Sequence, residues 1–255
     1  MSKYRGANFN TTLVFSTRKW KRFTKRRNPD SLREMNMIRP GPRIPTLLSK
    51  RFYLRSRKLR NTAKNCRYLA TEPSEGFLAK LKENCPNIES QIGSAEQISL
   101  PDNSVKNVVC AQCFHWFATD VSLKEIHRVL IPGGKLIMIW NHKDWSVPWV
   151  EKIEDILNEY YKGVPRALNY DWKTVVENFK GFAFNDHKIL PGVHFQGPSD
   201  AIIAHYSSLS VIASLDPTSK AAVLDKIRSI IQEADLAFDN INIPMKSEMY
   251  CCHKE

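Results

Sequence analysis

Glu125-Ile126-His127-Arg128-Val129-Leu130-Ile131-Pro132-Gly133-Gly134-Lys135-Leu136 decides the fold. Leu123, Ile126, Val129 and Leu130 recur at helical spacing, on a helix beginning near Asp120. Pro132-Gly133-Gly134 stops that helix, because glycine reaches the positive φ that a tight reversal needs. Lys135 to Trp140 then reads as a strand. Just upstream, Val105 to Gln112 is apolar enough to be a strand buried on both faces, as in a parallel sheet. Strand, helix, turn and strand at this spacing make a βαβ unit.

The same rhythm extends outward in both directions. Tyr68 to Thr71 is a short strand ending at Glu72-Pro73-Ser74, and Ser74 is placed to cap a helix carrying Phe77, Leu78 and Leu81 on one face. Ile88 to Ile92 is a further strand. Downstream the sequence predicts helices over 147–161, 171–179, 199–213 and 217–236, a strand over 184–190 and a closing strand over 245–253.

Composition sets the limits. A chain of 255 residues with 42% hydrophobic content suits one α/β domain with a short extension. No apolar run approaches the roughly 18 residues of a membrane helix. The six cysteines have neither regular spacing nor a secretory context, so they read as free thiols in a reducing compartment, which points to the cytoplasm. Charge is divided unevenly. Residues 1–66 hold 19 Lys/Arg against Asp30 and Glu34, which leaves that segment at +17 and residues 67–255 at −5. The expected organisation is therefore a basic leader, 1–66, with one helix over 46–61, and a domain over 67–255. No convincing apolar first strand stands out in the leader, and removing residues 1–45 is expected to leave the melt nearly unchanged.

Three stretches carry chemistry. Glu72, at the carboxyl end of a strand in a nucleotide-type sheet, is placed to accept hydrogen bonds from both ribose hydroxyls of a ligand; alone, it also reads as a solvated acid at a helix start. Gly93-Ser94-Ala95-Glu96 follows the next strand and would border an adenine, or form an ordinary polar loop. Cys110-Ala111-Gln112-Cys113-Phe114-His115-Trp116-Phe117 brings aromatic rings to the edge where open α/β sheets bind ligands, and such rings attract a cationic sulfonium. It makes a poor metal site, since Cys110 and Cys113 fall on opposite faces of a strand and no second Cys/His pair follows. His115 is the one candidate base, although a lone histidine is more often structural.

"RVLIPGGKL", preceded by "CFHWF" and "GSAEQISLPDNSV", resembles the class I S-adenosylmethionine-dependent methyltransferases. The likeness is greatest to the branch containing trans-aconitate methyltransferase-like and cantharidin-resistance-type enzymes, where a tryptophan-rich segment follows the fifth strand, here Ile139 to Trp145. The resemblance covers about residues 67–255. It implies a Rossmann-like αβα sandwich, S-adenosyl-L-methionine as cofactor and a small-molecule acceptor. It also implies that Glu72 holds the ribose, that Ala95 and Glu96 flank the adenine, and that Ala111 and Gln112 complete the cofactor site. His115 would contact substrate, with Trp116 and Trp140 lining the pocket, and the closing strand would join antiparallel at the edge of the sheet. No metal is implied.

One family feature is absent. Asp/Glu-x-Gly-x-Gly-x-Gly after the first strand lets the backbone approach the methionine part of the cofactor, yet no glycine lies between Gly41 and Gly76. The N-terminal third therefore reads as incomplete or remodelled. An altered gene product ranks first as the explanation. A degenerate, catalytically dead binding protein of the same fold is the alternative function. The basic leader would then serve as a mitochondrial transit peptide or as an arm on RNA, DNA or an anionic membrane, with dedicated nucleic-acid binding ranked last.

Overall fold

A computed structural model describes residues 11–16, 67–192, 194–234, 236 and 239–255. Its strands are β1 (Thr11–Ser16), β2 (Arg67–Glu72), β3 (Glu89–Ile92), β4 (Val105–Ala111), β5 (Leu130–Lys143), β6 (Phe182–Pro191), β7 (Phe195–Gly197), β8 (Ile241–Ile243) and β9 (Met245–Lys254). The α-helices are α1 (Glu75–Asn84), α2 (Asp120–Val129), α3 (Pro148–Tyr160), α4 (Asp171–Asn178), α5 (Ser199–Ser207), α6 (Ser210–Ala213) and α7 (Pro217–Glu233). Single 3₁₀ turns cover Phe114–Trp116 and Ala167–Asn169.

Seven strands form one sheet in the order β3-β2-β1-β4-β5-β9-β6, and β7 pairs with β8 separately. Strands β1 to β5 run parallel, while β9 is antiparallel to both neighbours. The chain winds from β1 outward through β2 to β3, then returns to the other side of β1 with β4 and β5. Ligands bind in doubly wound sheets where the order reverses, so the crevice opens between the carboxyl ends of β1 and β4.

The first strand corrects the reading of the leader. Thr11-Thr12-Leu13-Val14-Phe15-Ser16 lies at the inner position of the sheet, with Leu13 opposite both Leu69 and Val108. Leu13 is fully buried and Phe15 nearly so. Two threonines and a valine suit a strand, and the strand gains its stability from neighbours far away in sequence. The helix expected over 46–61 and the rest of the leader lie outside the described residues. A second correction concerns the closing strand: β9 does not sit at the edge but between β5 and β6, so β6 is the outer strand.

The deciding stretch folds as its residues dictate. Thr119 caps α2, its Oγ1 accepting from the Ser122 amide, and Leu123, Ile126 and Val129 bury one face. At the far end, the Lys254 ammonium donates to the carbonyls of His127 and Leu130 and to Asn103 Oδ1, satisfying carbonyls that a helix end leaves open. Gly133 takes φ 71°, and a Cβ on Gly134 would sit 2.8 Å from the Ile131 carbonyl. Two apolar cores result. One packs Leu13, Leu69, Val108, Leu123, Leu136 and Trp172 about the sheet. The other gathers α3, α5, α6, α7, β7 and β8 around Ile153, Ile202, Tyr206 and Ile227. The helix expected over 199–213 breaks at Ser208 into α5 and α6.

Candidate cofactor crevice and acceptor cleft

The parallel register places the ends of β1, β2 and β4 side by side. Phe15 pairs with Thr71 and Cys110, and Ser16 with Ala111, so Glu72, Ala111 and Gln112 share the carboxyl edge. Glu72 is 1% exposed, and its Oε1 accepts from the Ser74 amide at 2.9 Å. Burial pushes its carboxyl up to about 7, against the downward pull of that amide. The next turn is close-packed: the Gly93 amide donates to the Glu72 carbonyl, and a Cβ on Gly93 would meet the Thr71 methyl at 2.9 Å. Ala95 is buried and Glu96 half-buried on this loop, on the same side of the crevice as Glu72.

Two residues of the deciding stretch hold that loop. Glu125 accepts from the Ile98 amide at 2.9 Å. Arg128 donates to the carbonyls of Ile98 and Leu100, to Asp102 Oδ1 at 2.7 Å and to Glu125. Hydrogen bonding to Arg128 chiefly holds the Glu125 carboxyl below its usual range. Sequence reading passed over both, because an acid and an arginine three apart on a helix look like an ordinary surface pair.

Across the crevice, Gln112 takes φ 63°, its amide donating to the Ile139 carbonyl and its side chain to that of Asn141. Cys113 Sγ donates to the Phe15 carbonyl. This turn delivers His115 and Trp116, whose rings lie 5.2 Å apart. A cleft of about 310 Å³ opens there, lined by His115, Ala118, Val164, Asn169, Asp171 and Trp172 among others. Neither Trp116 nor Trp140 lines it. Trp140 is 1% exposed and acts one layer back, its indole N–H donating to His115 Nδ1 at 3.0 Å. A neutral His115 with Nδ1 accepting carries its proton on Nε2. Behind Trp140 stands Trp172, 4.5 Å away between ring centres, with its own N–H on the Ala167 carbonyl. The cleft wall over 163–175 was missed as a site because its residues have no motif; only the aromatic-rich Tyr170-Asp171-Trp172 hinted at it.

Among the described residues no group of three or more His, Cys, Asp or Glu is placed to hold a metal, and no helix is long and apolar enough to cross a membrane. Cys85, Cys110, Cys113, Cys251 and Cys252 are buried free thiols.

Residues 54–138 match the family model of a methyltransferase domain. Two proteins of Schizosaccharomyces pombe are similar, both named as uncharacterised: a methyltransferase-like protein, 43% identical over 126 residues (46% of this chain, 48% of that one), and a methyltransferase, 45% identical over 130 residues (48% and 50%). The chain thus spans about half the length of the curated relatives it matches. A solved structure from Anaeromyxobacter dehalogenans, named as a candidate type II methyltransferase, superposes with a TM-score of 0.54 at 19% identity, over 85% of this chain and 97% of that one. Residues 54–138 are thus similar to a methyltransferase domain, and the fold is the Rossmann-like α/β fold found in class I methyltransferases.

Proposed function

We propose that this chain transfers a methyl group from S-adenosyl-L-methionine to a small-molecule acceptor, with Glu72, Ala95, Glu96, Ala111 and Gln112 holding the cofactor and His115 meeting the acceptor. The observation that carries the reading is a buried carboxylate, Glu72, at the carboxyl edge of β2, across the point where β1 and β4 part. The nucleoside half of the cofactor fits these residues: a buried acid for the ribose diol and a small, buried Ala95 for the base. The sequence after Ser16, Thr17-Arg18-Lys19-Trp20-Lys21-Arg22, lacks the family's glycines and lies outside the described residues.

When bound, S-adenosylmethionine supplies a methyl group on a positively charged sulfur. The chain's own residues have only to bind, orient and exclude water, so proximity dominates, and an acceptor that arrives as a carboxylate has no proton to lose and needs no base. Glu72 accepts the ribose hydroxyls. His115, with its Nδ1 taken by Trp140, presents an Nε2–H that orients an acceptor oxygen rather than deprotonating it. Val164, Val175 and Trp172 give the cleft its apolar wall.

A second reading has its own support: no glycine occurs between Gly6 and Gly41, on either side of β1. In that reading the chain binds a nucleoside-type ligand without transferring a methyl group. Calorimetric titration of S-adenosylmethionine tests the transfer reading. The expected result is saturable heat in the wild type and at least tenfold weaker binding in E72A, about 1.4 kcal/mol or more. No heat at high micromolar ligand would contradict methyl transfer by this chain.

A further inference from the structure

Glu248 is a buried acid in a strand that also buries Tyr250, Cys251 and Cys252. It lies on β9 opposite Trp140 of β5 and Ile189 of β6, and is 7% exposed. Side chains from four parts of the fold converge on it. Tyr250 Oη of β9 donates to Oε1 at 2.9 Å, and His187 Nε2 of β6 stands 2.9 Å from the same oxygen. Tyr170 Oη, at the start of α4, reaches both carboxylate oxygens at 3.4 Å. His142 Nε2 of β5 is 3.2 Å from Oε2, out of line for a hydrogen bond and without another partner. The His187 ring stacks on that of Tyr250, 4.1 Å between centres. The charged groups around this cluster are Arg166 and Glu154, which act electrostatically on His142, and Lys173, 6.0 Å from the Tyr250 ring.

Tyr170 is the member that matters for the cleft. It takes φ 57° and ψ 10°, a left-handed conformation that costs a residue with a side chain about 1 kcal/mol. Asn169 and Asp171, its two neighbours, line the cleft, as do Gly163 to Pro165 and Trp172. No backbone ladder ties Tyr170 to the sheet; its side chain does so by reaching Glu248.

We propose that Glu248 is a positioning residue of the cleft: through Tyr170 it fastens the wall Gly163 to Trp172 to the sheet, and so sets where an acceptor lies relative to His115. The acceptor role rests on the methyl-transfer reading; the fastening does not. Burial acts to raise the Glu248 carboxyl, but hydrogen bonds from Tyr250 and His187, with the two histidines nearby, outweigh it and hold the group below its ordinary range. The fastening is therefore present above the ordinary carboxylate range and is lost as pH falls through the depressed value.

Hydrogen–deuterium exchange of the full chain without ligand tests this. Corrected for intrinsic rates, exchange over residues 163–172 should rise about fivefold in both E248Q and Y170F, with α7 unchanged, since a hydrogen bond to a charged group is lost. In the wild type the same segment should loosen as acid titrates Glu248, and E248Q should lack that step. Wild-type exchange in Y170F, a rise spread equally over α7, or an acid step kept in E248Q would each overturn the proposal. Loosening of the wall in a chain that gives no heat with S-adenosylmethionine would uphold the fastening and remove the methyl-transfer reading.

Discussion

Glu72 combines two demands that pull apart. In its proposed role it would accept from two ribose hydroxyls best as the carboxylate, yet burial raises it to about 7 from an ordinary 4.5. The folded state thus prefers the protonated acid. The associated stability is fully present below about pH 4.5 and is lost as pH rises through 7. The amide of E72Q cannot ionise, so this variant should match the wild type near pH 4 and exceed it by about 2–3 kcal/mol near pH 8, read from urea melts at each pH. Equal stability at both ends would show that Glu72 is not desolvated. The position of Glu72 was legible from sequence, because a single acid ends a short strand just before a helix cap. Glu248 was not. An acid just before Met249-Tyr250-Cys251-Cys252 is a visible oddity, but its partners come from four places along the chain.

Elements show the same division between local and distant causes. The α2 helix, the Pro132-Gly133-Gly134 turn and β5 follow from period, capping and glycine geometry, all local. The place of β9 between β5 and β6 follows from pairing with strands far off in sequence. Arg128 links the two levels, because one side chain on α2 holds the carbonyls of a loop near residue 100. Removing it leaves two part-buried carbonyls and the Glu125 carboxylate without that donor. R128A should therefore cost about 2–3 kcal/mol in a denaturant melt, well above the ordinary surface substitution. A loss below about 0.5 kcal/mol would mark the cluster as an ordinary exposed pair.

At the scale of the molecule, a net charge of +12 conceals a mildly acidic body and a strongly basic first quarter. That contrast obscured β1. Six residues with one leucine and one phenylalanine, followed at once by Thr17-Arg18-Lys19, give little local signal, and the family's glycines were not there to mark the strand's end. The burial that identifies β1 comes from Leu69 on one side and Val108 on the other, which no local window contains. The crevice, with Glu72 on one wall and Gln112 on the other, exists only if residues 11–16 separate β2 from β4. Removal of residues 1–45, which composition alone marks as harmless, would take this strand with it. The most direct measurement is the denaturant melt of L13D. Leu13 is fully exposed to the core and not at all to water, so an aspartate there buries an unpaired charge. The expected result is loss of the cooperative transition, or a destabilisation of about 4 kcal/mol or more. A wild-type melt in L13D would contradict it, since only a free leader tolerates that change.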